Sequence, residues 1–284
     1  DVTTAEQLAE NSEICFQGPV KVGPFDIEDS VAQTMLADPN PHGRSNAEVV
    51  KPWMNASDVT RRPRNMWIID FGDMSLEEAC LFEAPFEYVK KHVRPLREEN
   101  RDQQRRTFWW RLGRSGRDLK EAKRDKRRIV VTPRVAKHRL FLWASRELVP
   151  SSRVFAFARD SDYFFGVLHS QMHEIWSLAK SSRHGVGNDP TYNSTTCFET
   201  FPFPWPPGEE PTDDPRVKAV AQAARDLVEK RQAWLNPPGA TGKELKKRTL
   251  TNLYNEYPTW LEMAHQRLDE AVLDAYGWPY GLDD

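Results

Sequence analysis

Apolar and polar positions in the first two thirds of the chain alternate between strand-like runs and helical spacing. Residues 66–71 (MWIIDF) are predicted to form a buried strand, and residues 128–132, 139–143 and 153–158 are further short apolar runs of strand length. Ser75 and Glu78 have the spacing of a capping box, which predicts a helix from residue 76 to about residue 83. This part of the chain therefore indicates mixed α and β structure.

A longer helix is predicted after the run at 153–158. Asp160 or Ser161 can cap it, and its apolar face is Phe164, Val167, Leu168, Met172, Ile175, Trp176 and Ala179. Residues 181–190 (SSRHGVGNDP) have loop composition, and residues 191–198 are predicted to be the next strand. Strand, helix, loop and strand together predict a βαβ-like unit with an exposed polar loop.

Prolines and acidic residues concentrate in residues 202–215 (PFPWPPGEEPTDDP), which disfavours helix and predicts a domain boundary. Beyond it, apolar residues recur at helical spacing, and Gly277 ends the last predicted helix. The predicted fold is α+β. A mixed-sheet domain covers residues 1–206 and includes the βαβ-like unit, and an all-helical C-terminal subdomain covers residues 207–284.

Composition excludes several classes of protein. With 39% hydrophobic and 11% aromatic residues, the 284-residue chain can form a core, which excludes a wholly disordered protein. Its apolar runs are too short to cross a membrane, and its first ten residues lack the features of a signal peptide. The three cysteines are widely separated, so neither a disulfide framework nor a cysteine-rich zinc site is expected. A cytoplasmic location is the expectation.

The small net charge of −2 hides a strongly polarised chain. Residues 1–88 contain 6 basic and 16 acidic side chains, whereas residues 89–139 contain 19 basic and 6 acidic ones. A basic block of this size predicts a polyanionic partner, although a solvated surface gives a similar composition. The many arginines and the interleaved Phe108, Trp109 and Trp110 favour phosphates and bases as the partner groups.

The sequence contains only weak matches to metal-binding and catalytic motifs. His169 and His173 are four residues apart beside Glu174, but no third ligand accompanies them, so no metal site is predicted. Residues 236–239 (NPPG) have the Asn-Pro-Pro of adenine methyltransferases with glycine in place of the aromatic residue that stacks on a flipped base. No glycine-rich cofactor loop and no nucleophile set is present in the sequence. We expect no catalytic residue and no cofactor in this chain.

Seven segments together resemble one family. They are residues 16–18 (FQG), 67–79 (WIIDFGDMSLEEA), 85–101 (PFEYVKKHVRPLREENR), 109–110 (WW), 131–141 (VTPRVAKHRLF), 192–204 (YNSTTCFETFPFP) and 250–278 (LTNLYNEYPTWLEMAHQRLDEAVLDAYGW). The set resembles the C-terminal target-recognition region of large adenine-specific DNA methyltransferases. These occur in type IIG and MmeI-like type IIL restriction-modification enzymes and in related phage-defence systems.

The resemblance implies sequence-specific recognition of double-stranded DNA on behalf of a catalytic domain. In that family the domain lies upstream in the same polypeptide, and it transfers a methyl group from S-adenosylmethionine to adenine, alone or fused to an endonuclease. The catalytic motifs precede this region and are missing from the present sequence. The chain therefore resembles the specificity half of such an enzyme.

Candidate DNA contacts are of two kinds. Basic residues that could contact phosphates are Arg61, Arg62, Arg64, Arg105, Arg106, Arg111, Arg134, Lys137 and His138. Short polar or planar residues that could read base edges are Ser181, Ser182, Arg183, His184, Asn193, Thr195 and Thr196. Arg183 is the strongest candidate, because a guanidinium can donate two parallel hydrogen bonds to guanine. If residues 191–198 form a strand with Phe198 in the core, alternation exposes Asn193 and Thr195 and buries Thr196.

Two alternatives remain open from the sequence. A free-standing nucleic-acid-binding regulator would bind specific sequences with no catalytic partner in the same reading frame. A protein-interaction scaffold would use the basic block against an acidic protein and bind DNA weakly and without selectivity. The coding sequence upstream of Asp1 separates these alternatives.

Overall fold

Two four-stranded β-sheets form the framework of the protein in the computed structural model, which describes residues 2–184 and 189–279. The strands of this described part are β1 Cys15–Gln17, β2 Asp26–Ile27, β3 Val50–Met54, β4 Met66–Ile69, β5 Arg128–Pro133, β6 Leu142–Ser145, β7 Val149–Pro150, β8 Val154–Phe157, β9 Ser182–His184 and β10 Asp189–Thr191. Its helices are α1 Asp29–Ala37, α2 Ala56–Thr60, α3 Leu76–Ala79, α4 Glu83–His92, α5 Arg94–Glu98, α6 Gln103–Thr107, α7 Arg117–Ala122, α8 Asp162–Leu168, α9 Gln171–Ala179, α10 Pro215–Leu235, α11 Gly242–Lys247, α12 Leu250–Glu256 and α13 Thr259–Tyr276.

The first sheet has the antiparallel order β1-β8-β5-β6, and its central strands are covered on both faces. On β5, Ile129 and Val131 face a small apolar cluster that includes Val59 of α2. Val130 between them faces the larger cluster formed with the C-terminal helices. Side chains alternate between the two faces of a strand, so a strand that is buried on both faces requires consecutive apolar residues, as at residues 129–131 of β5.

The second sheet has the order β2-β4-β3-β7 and packs against α4 and the segment around Trp109 and Trp110. Its edge strand β7 pairs parallel with β3 through Trp53 and Val149. The chain then passes directly from β7 to β8 of the first sheet, with the Ser151 amide donating to the Met54 carbonyl at 2.7 Å. The two sheets are therefore joined by a short, hydrogen-bonded connection.

Helices α10 and α13 pack onto α8 and complete the larger cluster. Gly166 lies at the closest approach, where a side chain would have no room. A Cβ there would be 2.7 Å from Val220 Cγ1 and 3.2 Å from both Ala224 Cβ and Leu268 Cδ1. The glycine thus sets the distance between α8 and the two C-terminal helices.

Replacing Gly166 with valine is expected to reduce the free energy of unfolding by about 1–3 kcal/mol. The added methyl groups must displace Val220 and Leu268 from a filled core, and overpacking has costs of this size. Gly242→Ala is the matched control, since a Cβ at this helix start has nothing within 4 Å. Urea unfolding measures both variants. Equal stability of the two would contradict this account of the packing.

Several predicted elements are confirmed. Strands occur at Met66–Ile69, Arg128–Pro133 and Val154–Phe157, and the Ser75–Glu78 capping box begins α3. The predicted strand at 139–143 begins only at Leu142. The helix predicted after residue 160 is two helices, α8 and α9, and Ser170 caps the second of them. Mixed α and β structure followed by C-terminal helices agrees with the predicted fold class.

The strand predicted at residues 191–198 is wrong, and with it the second strand of the βαβ-like unit. Strand β10 ends at Thr191, and residues Ser194–Phe198 form a π-helical turn. The side chain of Asn193 accepts a hydrogen bond from the Thr195 amide at 3.0 Å, a local bond that competes with strand pairing. Thr196 is consequently exposed, not buried as strand alternation predicts.

The boundary predicted between residues 206 and 207 stays a prediction, although helices on its far side share an apolar cluster with the first sheet. Within the part of the chain that the structure describes, no helix combines the length and the apolar character that crossing a membrane requires.

Candidate nucleic-acid interface

The connection between β5 and β6 and the β9–β10 ribbon form one continuous surface. The Tyr192 amide donates to the Arg134 carbonyl at 2.7 Å, and Val135 forms an isolated bridge with Thr191. Strands β9 and β10 pair antiparallel, with Arg183 opposite Pro190. The structure therefore brings together two candidate groups that are about 50 residues apart in the sequence.

Arg139 fixes this arrangement from inside. It is 5% exposed, and its guanidinium donates to the carbonyls of Pro133 at 2.6 Å and Pro190 at 3.3 Å. It also donates to Thr132 Oγ1 at 3.2 Å and lies 4.9 Å from the centre of the Tyr192 ring. Burial lowers the pKa of Arg139, and the hydrogen bonds of the guanidinium go to these neutral oxygen atoms. One side chain thus links the end of β5 to the base of the ribbon.

Tyr192 continues this link to the helices. Its hydroxyl lies 3.1 Å from His173 Nε2, and His173 Nδ1 lies 2.8 Å from the Leu168 carbonyl. A carbonyl only accepts hydrogen bonds, so Nδ1 carries the proton and Nε2 accepts from the tyrosine. Burial lowers the pKa of His173 to about 3, which keeps the ring neutral. The imidazole therefore acts as a structural bridge.

His169 is also held by protein groups. Its Nε2 lies 2.5 Å from Arg231 Nη1 and 3.1 Å from the Tyr254 hydroxyl. An adjacent guanidinium opposes a bound cation. Among the described residues, no group of three or more His, Cys, Asp or Glu side chains is arranged to hold a metal ion.

The π-helical turn is supported by the N-terminal segment of the chain. The Asn11 side-chain amide donates to the carbonyls of Phe198 at 3.2 Å, Glu199 at 3.3 Å and Phe201 at 2.7 Å. The Leu8 amide also donates to the Glu199 carbonyl at 2.7 Å. This fixed turn presents Asn193, Thr195 and Thr196 to solvent.

The predicted base-reading residues differ in how far they extend into solvent. Ser182, Arg183 and His184 are all exposed on β9. Ser181 is half-buried, and its hydroxyl donates to the Leu178 carbonyl at 2.9 Å. Asn193 Oδ1 accepts from the amide and the hydroxyl of Thr195, at 3.0 and 2.8 Å. The exposed groups of β9 and of the turn therefore provide the polar part of this surface.

Arg153 joins the surface although the sequence did not single it out. The Arg134 amide donates to the Arg153 carbonyl at 2.8 Å, and both side chains are exposed. The antiparallel pairing of Pro133 with Val154 places these arginines side by side at one end of the first sheet. A prediction that residues 128–133 pair with residues 154–157 would have placed Arg153 beside Arg134.

Lys137 and His138 reach towards α12. Lys137 Nζ lies 2.7 Å and His138 Nε2 lies 2.9 Å from Asn255 Oδ1. Both side chains therefore help to attach the β5–β6 connection to the C-terminal helices, at the margin of the surface.

Two of the three candidates before β4 are engaged within the protein. Arg62 donates to the carbonyls of Leu235 and Leu245 and to Asn236 Oδ1. Arg64 forms a two-pronged ion pair with buried Asp58, both contacts at 2.9 Å. Arg61 is exposed at the end of α2.

Arg105, Arg106 and Arg111 lie beside the second sheet instead. Arg105 pairs with Asp102 at 3.2 Å, Arg106 donates to the Asn100 carbonyl at 2.6 Å, and Arg111 donates to the Met74 carbonyl at 3.0 Å. Their contacts are local or hold the segment after α6 in place.

The tryptophans interleaved in the basic block are not available for stacking on bases. Trp109 is 9% and Trp110 is 6% exposed, because both fill the core of the second sheet. Phe108 remains exposed, with the Arg111 guanidinium 4.5 Å from its ring centre. The prediction that Trp109 and Trp110 stack on bases is therefore wrong.

Strand β5 divides the rest of the basic block between two ends of the first sheet. Arg124 and Arg127 precede the strand, whereas Arg134 follows it. Six residues at about 3.3 Å each separate the two ends by roughly 20 Å. Many block residues also pair with carboxylates, including Lys90, Arg94, Arg117, Lys120, Lys126 and Arg128. The basic residues of the 89–139 block therefore do not form one continuous surface in the fold.

An exposed polar ribbon and turn, flanked by arginines and held rigidly on an α+β scaffold, define a recognition domain. The chain belongs to the family of MmeI target recognition domains, whose model matches residues 20–205.

A solved structure with a similar fold is that of the type IIL restriction-modification enzyme MmeI in complex with DNA. The match has a TM-score of 0.69 and 17% sequence identity, and it covers 95% of this chain and 33% of the MmeI chain. The chain thus spans about a third of the length of that protein. No curated protein matches the sequence.

Proposed function

We propose that this chain recognises a specific sequence of double-stranded DNA through the β9–β10 ribbon, the Ser194–Phe198 turn and the β5–β6 connection. The observation that carries the proposal is the junction of these three segments, where Tyr192 binds the Arg134 carbonyl and Arg139 binds the Pro190 carbonyl. It unites exposed groups that suit base edges with exposed arginines that suit phosphates. Membership of the target recognition family and the DNA-bound MmeI structure support it.

The roles divide by position and chemistry. Arg134 and Arg153 lie together at the end of the first sheet, where adjacent positive charges suit the DNA backbone. Arg183 and His184 extend from β9, and Asn193 and Thr195 extend from the turn. These planar or short polar groups, on a support fixed by buried hydrogen bonds, suit contacts with base edges in a groove.

In this proposal, methylation is carried out by another domain of a larger enzyme. An upstream domain of the same polypeptide binds S-adenosylmethionine and modifies adenine in the cytoplasm, while the present chain selects the site. Support comes from the family and from the extent of the match, since this chain corresponds to only a third of MmeI.

Removing both Arg134 and Arg153 is expected to weaken binding to all DNA sequences evenly. Each phosphate contact contributes about −0.9 to the slope of log affinity against log salt concentration, so the double alanine variant should flatten that slope by about 1.8.

Arg183→Ala should instead relax selectivity at one base pair, by roughly 1–3 kcal/mol. Fluorescence anisotropy measures the slopes, and sequencing the bound fraction of a random duplex library measures selectivity.

Arg127→Ala is the matched control, because Arg127 is exposed at the opposite end of β5, where it pairs with Asp160. It should leave both the salt slope and the selected sequence unchanged. A library that shows no enriched sequence would contradict specific recognition and favour an interaction scaffold. An enriched sequence that all variants retain unchanged would place the reading surface elsewhere.

A further inference from the structure

A pocket of about 400 Å³ lies at the end of the first sheet opposite Arg134. It is bounded by the end of α7, the β6–β7 turn, strand β3 and the segment after β4. Its charged lining residues are Glu48, Lys51, Asp70, Lys120, Lys123, Arg124, Arg146 and Glu147. Five cations thus face three carboxylates, and the pocket has a positive balance.

Lys123 is the unusual member of this set. It is 9% exposed, and its ammonium donates to the Leu148 carbonyl at 2.6 Å. An ammonium carries three hydrogen-bond donors, and one carbonyl uses only one of them. Desolvation lowers the pKa of Lys123 to about 8, although Glu147 and Asp70 act on its charge from a distance. A buried cation that forms no direct ion pair among the described residues therefore borders the pocket.

The neighbouring charges are mostly neutralised in pairs. Lys120 lies 2.7 Å from Asp70, whose other oxygen accepts from the Gly72 amide at 2.9 Å. Lys51 pairs with Glu147 at 2.8 Å.

Arg146 also lies near Glu147, at 3.4 Å. The guanidinium of Arg124, by contrast, is exposed and forms no ion pair within the described part of the chain. Lys123 and Arg124, which are adjacent in sequence, are therefore the pocket cations that form no direct ion pair within the described part of the chain.

We propose that this pocket binds a phosphate group, with the Lys123 ammonium and the Arg124 guanidinium as its principal partners. A phosphate monoester carries a charge of about −1.5 to −2 near neutral pH and several acceptor oxygens, which matches two cations that form no direct ion pair and have unused donors. The phosphate belongs either to a small phosphorylated molecule or to a DNA backbone. In both cases the site is separate from the proposed reading surface, roughly 20 Å away along β5.

The direct test is titration of the 284-residue chain with inorganic phosphate at constant ionic strength, with chloride as the balancing anion. Backbone amide resonances of Gly72 and Lys123 should shift and saturate. Lys123→Met and Arg124→Ala should each weaken phosphate binding at least tenfold, while Arg127→Ala, outside the pocket lining, should leave it unchanged. Arg124 is exposed, so its variant tests the proposal even if Lys123→Met fails to fold. Absence of saturation, or equal affinity in all variants, would overturn the proposal.

DNA binding by Arg124→Ala then separates the two sources of phosphate. A salt slope flattened by about 0.9 would identify a backbone phosphate as the occupant. An unchanged slope together with weakened phosphate binding would identify a small phosphorylated molecule. The phosphate titration contains no DNA, so its outcome is independent of whether Arg134 and Arg183 recognise DNA.

Discussion

Lowering the pH from 7 to 5 is expected to reduce the free energy of unfolding by about 3–6 kcal/mol, because buried His169 and His173 and half-buried His265 resist protonation in the folded protein. Burial lowers the pKa of His173 to about 3 and that of His265 to about 4. Burial and the charge of Arg231 hold the pKa of His169 well below its ordinary value.

The direction follows from proton binding in the two states. An unfolded histidine binds a proton near pH 6.5, whereas the folded rings stay neutral until a lower pH. The unfolded chain therefore binds more protons below pH 6.5, and stability falls by about 1.4 kcal/mol per pH unit for each histidine. Three histidines give about 6 kcal/mol at pH 5 as an upper figure.

Asp269 acts in the opposite direction. Burial raises its pKa to about 7, so the folded protein takes up this proton between pH 7 and pH 5 while the unfolded chain does not. This uptake offsets part of the loss from the histidines, and the offset is at most about 3 kcal/mol. Desolvation also raises the pKa of Glu174 and of Glu199, which adds to this offset. The net effect of acid remains destabilising because the contribution of the three histidines is larger.

Urea unfolding at pH 7, 6 and 5 measures this dependence. His265→Asn removes one of the three rings and should make the decline of stability with falling pH shallower. His42→Asn, at an exposed position, should leave the decline as it is in the unmodified chain. Constant stability from pH 7 to pH 5 would show that these three imidazoles do not control the response to acid.

Arg139→Met is expected to lower the free energy of unfolding by about 2–4 kcal/mol and to abolish selection among DNA sequences. Methionine fills similar apolar volume but leaves the carbonyls of Pro133 and Pro190 without their donor. Each buried carbonyl left unpaired costs about 1–3 kcal/mol, and relief from burying the guanidinium offsets only part of that cost. The base of the β9–β10 ribbon then loses its side-chain link to β5 and keeps the Tyr192–Arg134 hydrogen bond and the Val135–Thr191 bridge.

Arg134→Met is the matched control in the same connection. Its side chain is exposed, so stability should change by less than about 0.5 kcal/mol, while affinity for all duplexes falls. The informative comparison is the sequence profile of bound DNA at a temperature where both variants are folded. If Arg139→Met selects the same sequence as the unmodified chain, the buried guanidinium stabilises the fold without positioning the ribbon.

Local signals in the sequence predicted much of the framework. The apolar run at Met66–Ile69 and the Ser75–Glu78 capping box depend on neighbouring residues, and both are confirmed. The family resemblance, based on several short segments in order, is confirmed by the family model over residues 20–205. Local pattern and segment order were therefore sufficient for the fold class and the family.

Features set by distant pairing were not accessible in this way. Arg153 joins Arg134 only because β5 pairs with β8, and the basic block divides because β5 separates its ends. Residues Ser194–Phe198 have strand-like composition, but Asn193 begins a turn that the N-terminal segment supports. Trp109 and Trp110 are buried because they pack in the core of the second sheet. That contact depends on the tertiary structure and is not visible in the local sequence.

The hydrogen bonds of Asn11 have a consequence for the order of folding. They join carbonyls 187 to 190 positions further along the chain. Closing a loop of that length costs roughly 3 kcal/mol more entropy than closing one of ten residues, and contacts so distant form slowly. During synthesis β1 must wait until β8 has been made, and Asn11 must wait until Phe201 has been made. The turn that presents Asn193 and Thr195 is thus completed late, by the meeting of the earliest residues with ones translated almost 200 codons afterwards.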